Sequence, residues 1–89
     1  MISHIDIKIQ TMAVEEKVLE ILKETFELET IDKTCSQQNC PAWDSMGRLN
    51  LVVDLEDAFG VRFEPEEIAE MKNFWDIVRI IMSKPQAIK

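Results

Sequence analysis

The sequence predicts an all-α protein: a small four-helix bundle with three longer helices, one short helix and a long loop between the first two. The chain of 89 residues has the size of one small domain. Its 46% hydrophobic and 30% charged residues are typical of a folded globular domain. Three of its segments repeat apolar residues at spacings of three and four, which indicates helices with one apolar face.

The first helix is expected to follow an N-terminal extension. Residues 5–9 alternate apolar and polar side chains as a strand does, but the sequence has no second strand-like segment to pair with them. We therefore expect residues 1–11 to be a flexible extension, with Thr11 as the N-cap of the helix. The apolar face of this helix contains Val14, Val18, Ile21, Leu22 and Phe26.

A long polar loop connects the first two helices, with the sequence ETIDKTCSQQNCPAW. Ile31 and Trp43 are the apolar residues that we expect to hold it against the core. Cys35 and Cys40 are interpreted as two solvent-accessible thiols that stay reduced in the cytoplasm. A zinc site is not favoured, because the only histidine, His4, is far from both cysteines in sequence and zinc takes three or four such ligands.

The second helix is expected to begin at Asp44-Ser45 and to end at Ala58 or Phe59, because Gly60 follows the last periodic residue. Ser45 has two interpretations. Either it or Asp44 is simply the N-cap, accepting hydrogen bonds from free N–H groups of the first turn. Alternatively, Ser45 is an exposed serine at a helix N-terminus, where the N–H groups and the helix dipole stabilise an attached phosphate group.

The apolar surface of this second helix is unusually wide. It covers about 200° of the circumference, whereas a helix packed on one side of a core needs rather more than about 100°. Either the small bundle wraps the helix deeply, or the edge formed by Leu49 and Val53 is exposed and binds a partner. The pattern alone leaves both interpretations open.

The last part of the chain predicts a short helix and then a longer one. Pro65 is well placed at the first position of the short helix, and Asn73 is expected to cap the last helix, which Pro85 ends. The folded domain is then expected to cover residues 12–84, followed by a tail at 85–89. The apolar face of the last helix contains Phe74, Ile77, Val78 and Ile81.

The charge of the chain limits its partners. The formal net charge of −7 argues against nucleic acid and against an anionic membrane, and it favours proteins with basic surfaces. We find no signal peptide and no apolar run of the length that a membrane span requires, so we expect a cytoplasmic protein.

The segment WDSMGRLNLVVDLEDAFGVRF resembles the acyl carrier protein family, including the carrier domains of polyketide and non-ribosomal peptide systems. Asp44-Ser45-Met46 stands where the family has Asp-Ser-Leu, and Leu-Glu-Asp-Ala-Phe-Gly-Val follows at the family's distance. EPEEIAEMKNFWDIVRII stands in the place of the family's third and fourth helices. The resemblance covers residues 12–84, which is most of the chain.

The resemblance implies that Ser45, next to Asp44, is the attachment point of 4′-phosphopantetheine, which a phosphopantetheinyl transferase takes from coenzyme A. The thiol of this arm would carry acyl or aminoacyl groups as thioesters, and the chain would be a non-catalytic carrier, usually a monomer. Its further partners would be acyl- or aminoacyl-loading enzymes and synthases with basic docking faces. The implied partner-binding residues are Met46, Arg48, Leu49, Val53, Asp54, Glu56 and Asp57.

This sequence departs from the family where carriers of fatty acid synthesis are often acidic. The positions two and five residues after the serine are Gly47 and Asn50, and the basic Arg48 lies between them. We therefore expect a specialised carrier with its own enzyme set, in a pathway of fatty acid, polyketide or non-ribosomal peptide type. This hypothesis fails if the standard fatty-acid ketosynthase elongates acyl groups on the protein at normal efficiency.

Rival interpretations come from other classes of protein. An unmodified acidic helical adaptor that binds a partner protein would use Ser45 only as a cap. A small enzyme using Cys35 or Cys40 is less favoured, because no base is positioned beside either thiol. A specific calcium-binding protein is not favoured either, since the sequence has no D-x-D-x-D-G loop.

Overall fold

The computed structural model describes residues 4–84, with side chains described from Thr11 onward. Its four helices confirm the predicted all-α class, with three longer helices and one short one. No helix within residues 4–84 combines the length and the apolar character needed to cross a membrane. The helices are α1 (His4–Thr25), α2 (Ser45–Phe59), α3 (Pro65–Glu70) and α4 (Phe74–Met82).

The first helix begins earlier than the sequence pattern predicted. α1 begins at His4, so the prediction that Thr11 is its N-cap is wrong. Ile5 and Ile9 are four residues apart, so the alternating segment also suits one face of a helix. A helix that is already nucleated gains a hydrogen bond with each added residue, which favours extending α1 toward the N-terminus. The flexible extension at residues 1–11 stays a prediction.

Two predictions concern residues that the structure does not describe. Pro85, expected to end the last helix, and the tail at 85–89 lie outside the described residues, as do residues 1–3. The domain boundaries at 12 and 84 therefore also stay predictions.

The core forms where α1 packs against both α2 and α4. Val18 and Leu22 of α1, Leu51 and Leu55 of α2, and Ile77 of α4 are fully buried at its centre. Burying a side chain of this kind contributes about 1.5–3 kcal/mol relative to leaving it exposed, so this contact contributes strongly to the stability of the fold. The apolar residues predicted to face inward on α4 are all buried.

The predicted ends of the later helices are confirmed for α2 at Gly60, for α3 at Pro65 and for α4 at Asn73. Gly60 follows α2 with φ +66°, the left-handed conformation that glycine adopts without strain. Pro65 is the first residue of α3. The side chain of Asn73 accepts a hydrogen bond of 2.8 Å from the backbone N–H of Asp76 and so caps α4.

The long loop before α2 is tied to the link between α3 and α4. The backbone N–H of Gln37 donates to the carbonyl of Lys72, and the N–H of Phe74 donates to the carbonyl of Cys35, both at 2.9 Å. Ile31 packs against the core, as predicted, and so does Trp43, which is 2% exposed. The loop is therefore an ordered part of the fold.

The prediction that Cys35 and Cys40 are solvent-accessible is wrong. Both thiols are free and buried, and they belong to the core cluster. The sequence pattern missed this because the contact with the α3–α4 link, which covers the loop, joins residues far apart in the chain. Burial raises the pKa of the Cys35 thiol to about 11, with a smaller contribution from the neighbouring Cys40.

Candidate functional site around Ser45

Ser45 is the first residue of α2, and its side chain is exposed. The cap of the helix is Asp44, whose backbone is extended (φ −96°, ψ −165°) and whose Oδ1 accepts a 2.8 Å hydrogen bond from the N–H of Gly47. The carbonyl of Asp44 accepts from the N–H of Arg48, also at 2.8 Å. Of the two residues considered for the N-cap, Asp44 therefore fills the role, and the Ser45 hydroxyl is not used for it.

Gly47 lies in the first turn of α2 and is buried against the preceding loop. A β-carbon at this position would stand 2.0 Å from the carbonyl oxygen of Ala42 and 3.0 Å from Cε1 of Phe26. Real β-carbons do not approach a backbone oxygen so closely, so a side chain here would push the loop away from the helix. The acidic residue that fatty-acid carriers often have at this position cannot fit this backbone.

The glycine at position 47 is itself a sequence signal for this close contact. An isolated glycine inside a helical pattern costs roughly 1 kcal/mol relative to alanine, so it usually has a packing or functional reason. The comparison with the family describes Gly47 only as the absence of an acidic residue. The structure gives its positive role, which is to let the loop lie directly on the first turn of α2.

Trp43 anchors the end of the loop in the core. Its ring stacks on Phe26 with the centroids 5.7 Å apart, and its Nε1 is buried with no hydrogen-bond partner among the described residues. Trp43 immediately precedes the cap Asp44, so burial of the indole fixes the direction from which the chain enters α2. The position of Ser45 is thus set by the buried indole, the Asp44 cap and the glycine contact.

A groove of about 400 Å³ opens beside Ser45. Its charged side chains are Asp44 and Arg48, and Arg48 is half-buried. We call it the Ser45 groove. Its lining residues are Gln37, Gln38, Pro41, Trp43, Asp44, Ser45 and Arg48.

The predicted partner-binding residues of α2 do not all lie together. Met46, Leu49 and Val53 are exposed by 69%, 55% and 61%, and we call these three the apolar strip. Asp54 and Asp57 are exposed and line an open cleft between α1 and α2. Of the two interpretations of the wide apolar surface, exposure of the edge formed by Leu49 and Val53 is the one observed.

Two of the predicted residues, Asp54 and Glu56, have structural contacts as well. Asp54 accepts a 2.6 Å hydrogen bond from the hydroxyl of Thr25 on α1. Glu56 is half-buried, and its carboxylate accepts from the N–H of Phe63 at 3.0 Å, which fastens the link after α2. Arg48 lies in the Ser45 groove. The apolar strip is therefore the exposed centre of the predicted surface.

The part of the chain with described residues contains no cluster of three or more His, Cys, Asp or Glu side chains that could hold a metal ion. The cleft between α1 and α2 is lined by three carboxylates, those of Glu24, Asp54 and Asp57, but they do not form such a cluster. The site around Ser45 offers one carboxylate, that of Asp44, and this group is engaged as the helix cap.

Comparison with known proteins identifies the family. The chain is 35% identical over 71 residues to a protein of Mycoplasma genitalium named acyl carrier protein homolog, and the match covers 78% of this chain and 84% of that protein. No family model matches the chain, and no solved structure matches it. The chain belongs to the acyl carrier protein family, in agreement with the resemblance around Ser45 and with the all-α fold.

Proposed function

We propose that this protein is an acyl carrier that bears acyl or aminoacyl groups as thioesters on a 4′-phosphopantetheine arm attached to Ser45. The observation that carries the proposal is the division of roles at the start of α2. Asp44 caps the helix, and the adjacent Ser45 is exposed with its hydroxyl left available. Membership of the acyl carrier protein family supports the same conclusion.

The residues around Ser45 fit the arm. The hydroxyl stands at the N-terminal end of a helix of 15 residues with no acidic residue in its first turn, so a phosphate there meets the positive end of the helix dipole. The Ser45 groove lies directly alongside and contains the cation of Arg48. The arm, when attached, supplies a terminal thiol that forms thioesters.

The chain itself holds the arm and presents the carried group to enzymes. In the modification step the Ser45 hydroxyl displaces 3′,5′-ADP from coenzyme A. A base of the transferase takes the hydroxyl proton, because the Ser45 groove contains no histidine and its one carboxylate, that of Asp44, is engaged as the helix cap. Asp44 and Gly47 hold the first turn and so the position of the hydroxyl. Tethering then raises the effective concentration of the acyl group at a docked enzyme. The chain is accordingly a non-catalytic carrier.

The apolar strip is the proposed docking surface for the transferase and for acyl- or aminoacyl-loading enzymes and synthases. It lies on the same helix as Ser45, so an enzyme bound to it meets the arm at its attachment point. Arg48, Asp54, Glu56 and Asp57 complete the proposed surface, and its acids suit partners with basic faces. We propose that the protein is cytoplasmic. We also propose that it is a monomer, since its formal charge of −7 opposes self-association.

Gly47 and Asn50 leave the docking surface less acidic near the serine than in carriers of general fatty acid synthesis. We therefore propose a specialised pathway of fatty acid, polyketide or non-ribosomal peptide type. Elongation of acyl groups on this protein by a general fatty-acid ketosynthase should be much slower than on that enzyme's own carrier. Equal kcat/KM values for the two carriers would contradict this assignment.

The apolar strip also supports a second candidate, an unmodified adaptor that binds a partner through α2. An exposed apolar patch with an acidic rim is a usual feature of protein interfaces and does not require a prosthetic group. The two candidates differ in whether Ser45 accepts the arm.

The experiment is intact mass after incubation with coenzyme A and a broad-specificity phosphopantetheinyl transferase. The unsubstituted protein should gain the mass of one phosphopantetheine group, and Ser45→Ala should gain nothing. Ser83→Ala is the matched control, because it removes another exposed serine and should be modified normally. Failure of the folded protein with two unrelated transferases would overturn the carrier assignment and favour the adaptor.

A further inference from the structure

Arg48 continues the buried side of α2 toward the helix N-terminus. Leu51 and Val52 follow it by three and four residues and are both buried, so the same helical register turns Arg48 inward. Its side chain is half-buried. A cation that loses part of its hydration in this way is normally compensated by a partner of opposite charge.

Arg48 has no such partner among the residues whose side chains the structure describes. The ion pairs formed among residues 11–84 involve Lys33, Arg79 and Lys84, and none includes Arg48. The nearest carboxylate in sequence on the same groove, that of Asp44, does not pair with it and instead accepts the N–H of Gly47. The guanidinium is therefore available to an anion that enters the Ser45 groove.

The groove brings this cation close to the modified hydroxyl. Ser45 and Arg48 line the same groove, and residues three apart on a helix have their β-carbons about 5–6 Å from each other. Helical side chains also lean toward the helix N-terminus, which directs that of Arg48 toward the end where Ser45 lies. A phosphate bonded to the Ser45 oxygen would therefore share this groove with the guanidinium.

We propose that Arg48 is a positioning residue that pairs with the phosphodiester of the arm on Ser45 and holds the start of the arm in the groove. This inference rests on the proposed function. The phosphodiester keeps one negative charge at neutral pH and stands beside the carboxylate of Asp44, so Arg48 offsets their repulsion. The planar guanidinium can donate two parallel hydrogen bonds to two phosphate oxygens, which a single ammonium group does less well.

This role differs from partner recognition because it operates before any enzyme is present. The consequence is an energetic coupling between Arg48 and the arm inside the isolated carrier. Arg62 provides a matched control: it is exposed in the link after α2, does not line the Ser45 groove, and forms no ion pair among residues 11–84.

The experiment compares unmodified and modified forms of four proteins: the unsubstituted chain, Arg48→Gln, Arg48→Lys and Arg62→Gln. Intact mass first establishes modification in each. The change in urea midpoint on modification is then measured at low salt and at about 0.5 M salt, where exposed charges are screened. The ³¹P resonance of the phosphodiester and the ¹H–¹⁵N signal of the arginine Nε are recorded for the modified forms.

We expect modification to raise the urea midpoint of the unsubstituted chain and of Arg62→Gln by the same amount. Arg48→Gln should lose most of that rise and show a shifted ³¹P resonance, whereas Arg48→Lys should keep part of the rise. The Nε signal of Arg48 should move on modification. Equal midpoint changes in all four proteins, with an unmoved Nε signal, would overturn the proposal.

Two other outcomes are also decisive. If the unsubstituted chain gains no mass, the carrier assignment fails and this inference fails with it. If Arg48→Gln alone resists modification, two measurements decide between the proposal and a role in transferase docking. These are the shift of the Arg48 Nε signal on modification of the unsubstituted protein and the rise in urea midpoint on modification of Arg48→Lys. An unmoved Nε signal, together with a midpoint rise in Arg48→Lys equal to that of the unsubstituted chain at both salt concentrations, would assign Arg48 to transferase docking instead.

Discussion

The backbone of Gly47 lies so close to the carbonyl oxygen of Ala42 that a β-carbon on the glycine would stand 2.0 Å from that oxygen. The long loop therefore rests directly on the first turn of α2. Because Ser45 lies between these two residues in the chain, their contact fixes where its hydroxyl emerges. The loop and the helix act as one rigid support for the proposed attachment point.

The first prediction concerns this contact. In an unobstructed helix, replacing glycine by alanine stabilises the fold by roughly 1 kcal/mol. Gly47→Ala should instead lower the free energy of unfolding by about 1–3 kcal/mol, because the added methyl group displaces the loop. Urea unfolding followed by far-UV circular dichroism measures the change.

The matched control for this substitution is Asn50→Ala, an exposed position one turn further along α2. Here the better helix propensity of alanine should raise the free energy of unfolding by about 0.5 kcal/mol. A Gly47→Ala protein that is as stable as the unsubstituted chain would show that the loop yields without cost, and the account of a rigid support would be wrong.

The second prediction concerns the cap of α2. Asp44→Ala should cost about 1 kcal/mol of unfolding free energy, because the N–H of Gly47 loses its acceptor at 2.8 Å. Asp44→Asn keeps an acceptor oxygen and should cost only a few tenths of a kcal/mol. Thermal unfolding of both variants measures the difference. Equal losses would indicate that the charge at the helix end, rather than the hydrogen bond, carries the effect.

The third prediction compares two adjacent valines. Val52 is 6% exposed and Val53 is 61% exposed, so they separate the packing role of α2 from its surface role. Val52→Ala should lower the free energy of unfolding by about 2 kcal/mol, whereas Val53→Ala should change it by less than about 0.5 kcal/mol.

The same pair separates stability from recognition. Val53→Ala should reduce kcat/KM for the phosphopantetheinyl transferase, since it removes part of the apolar strip. Val52→Ala should leave kcat/KM nearly unchanged under conditions where it stays folded. A Val53→Ala protein that is modified as fast as the unsubstituted chain would remove the strip from the docking surface of the transferase.

The fourth prediction follows from the raised pKa of Cys35, which burial and the neighbouring Cys40 bring to about 11. In the unfolded chain the thiol ionises near its ordinary pKa of about 8.5, so the unfolded state loses its proton first. The stabilising contribution of the protonated Cys35 thiol to the free energy of unfolding is then fully present below about pH 8.5. It is lost as the pH rises toward the pKa of the thiol in the folded state.

Measuring the free energy of unfolding between neutral pH and about pH 11 tests this sign. The free energy of unfolding should fall more steeply with rising pH in the unsubstituted chain than in Cys35→Ala. Lysines also titrate at alkaline pH but contribute equally to both proteins, so the difference in slope reports on Cys35. Cys35→Ala should be less stable at neutral pH, because it leaves a cavity, so the slopes rather than the absolute values are compared. Parallel slopes would contradict the assignment.

Local signals in the sequence were sufficient for the second half of the fold. Asp44 and Gly60 mark the ends of α2, and Asn73 marks the start of α4, because caps depend on residues within a few positions of each other. The helical period placed Leu49 and Leu51 on different parts of the apolar surface, but it left open whether the edge with Leu49 is exposed. The assignment of Ser45 as the attachment point came from its motif and stays a prediction.

The features that were missed depend on contacts between distant parts of the chain. Cys35 is buried because its loop pairs with the link before α4, and no periodicity within the loop reports this. The start of α1 at His4 was missed because a short alternation suits both a strand and a helix. The inward position of Arg48 follows from the register of Leu51 and Val52 once their burial is known.

The most direct test of the central claim is the mass of one peptide from the protein isolated from its own cells. Trypsin cleaves after Lys33 and Arg48, which releases residues 34–48 with two serines, Ser36 and Ser45. Tandem mass spectrometry should find this peptide carrying one phosphopantetheine group, with the fragments assigning it to Ser45. A complete absence of the modified peptide, or assignment of the group to Ser36, would contradict the account.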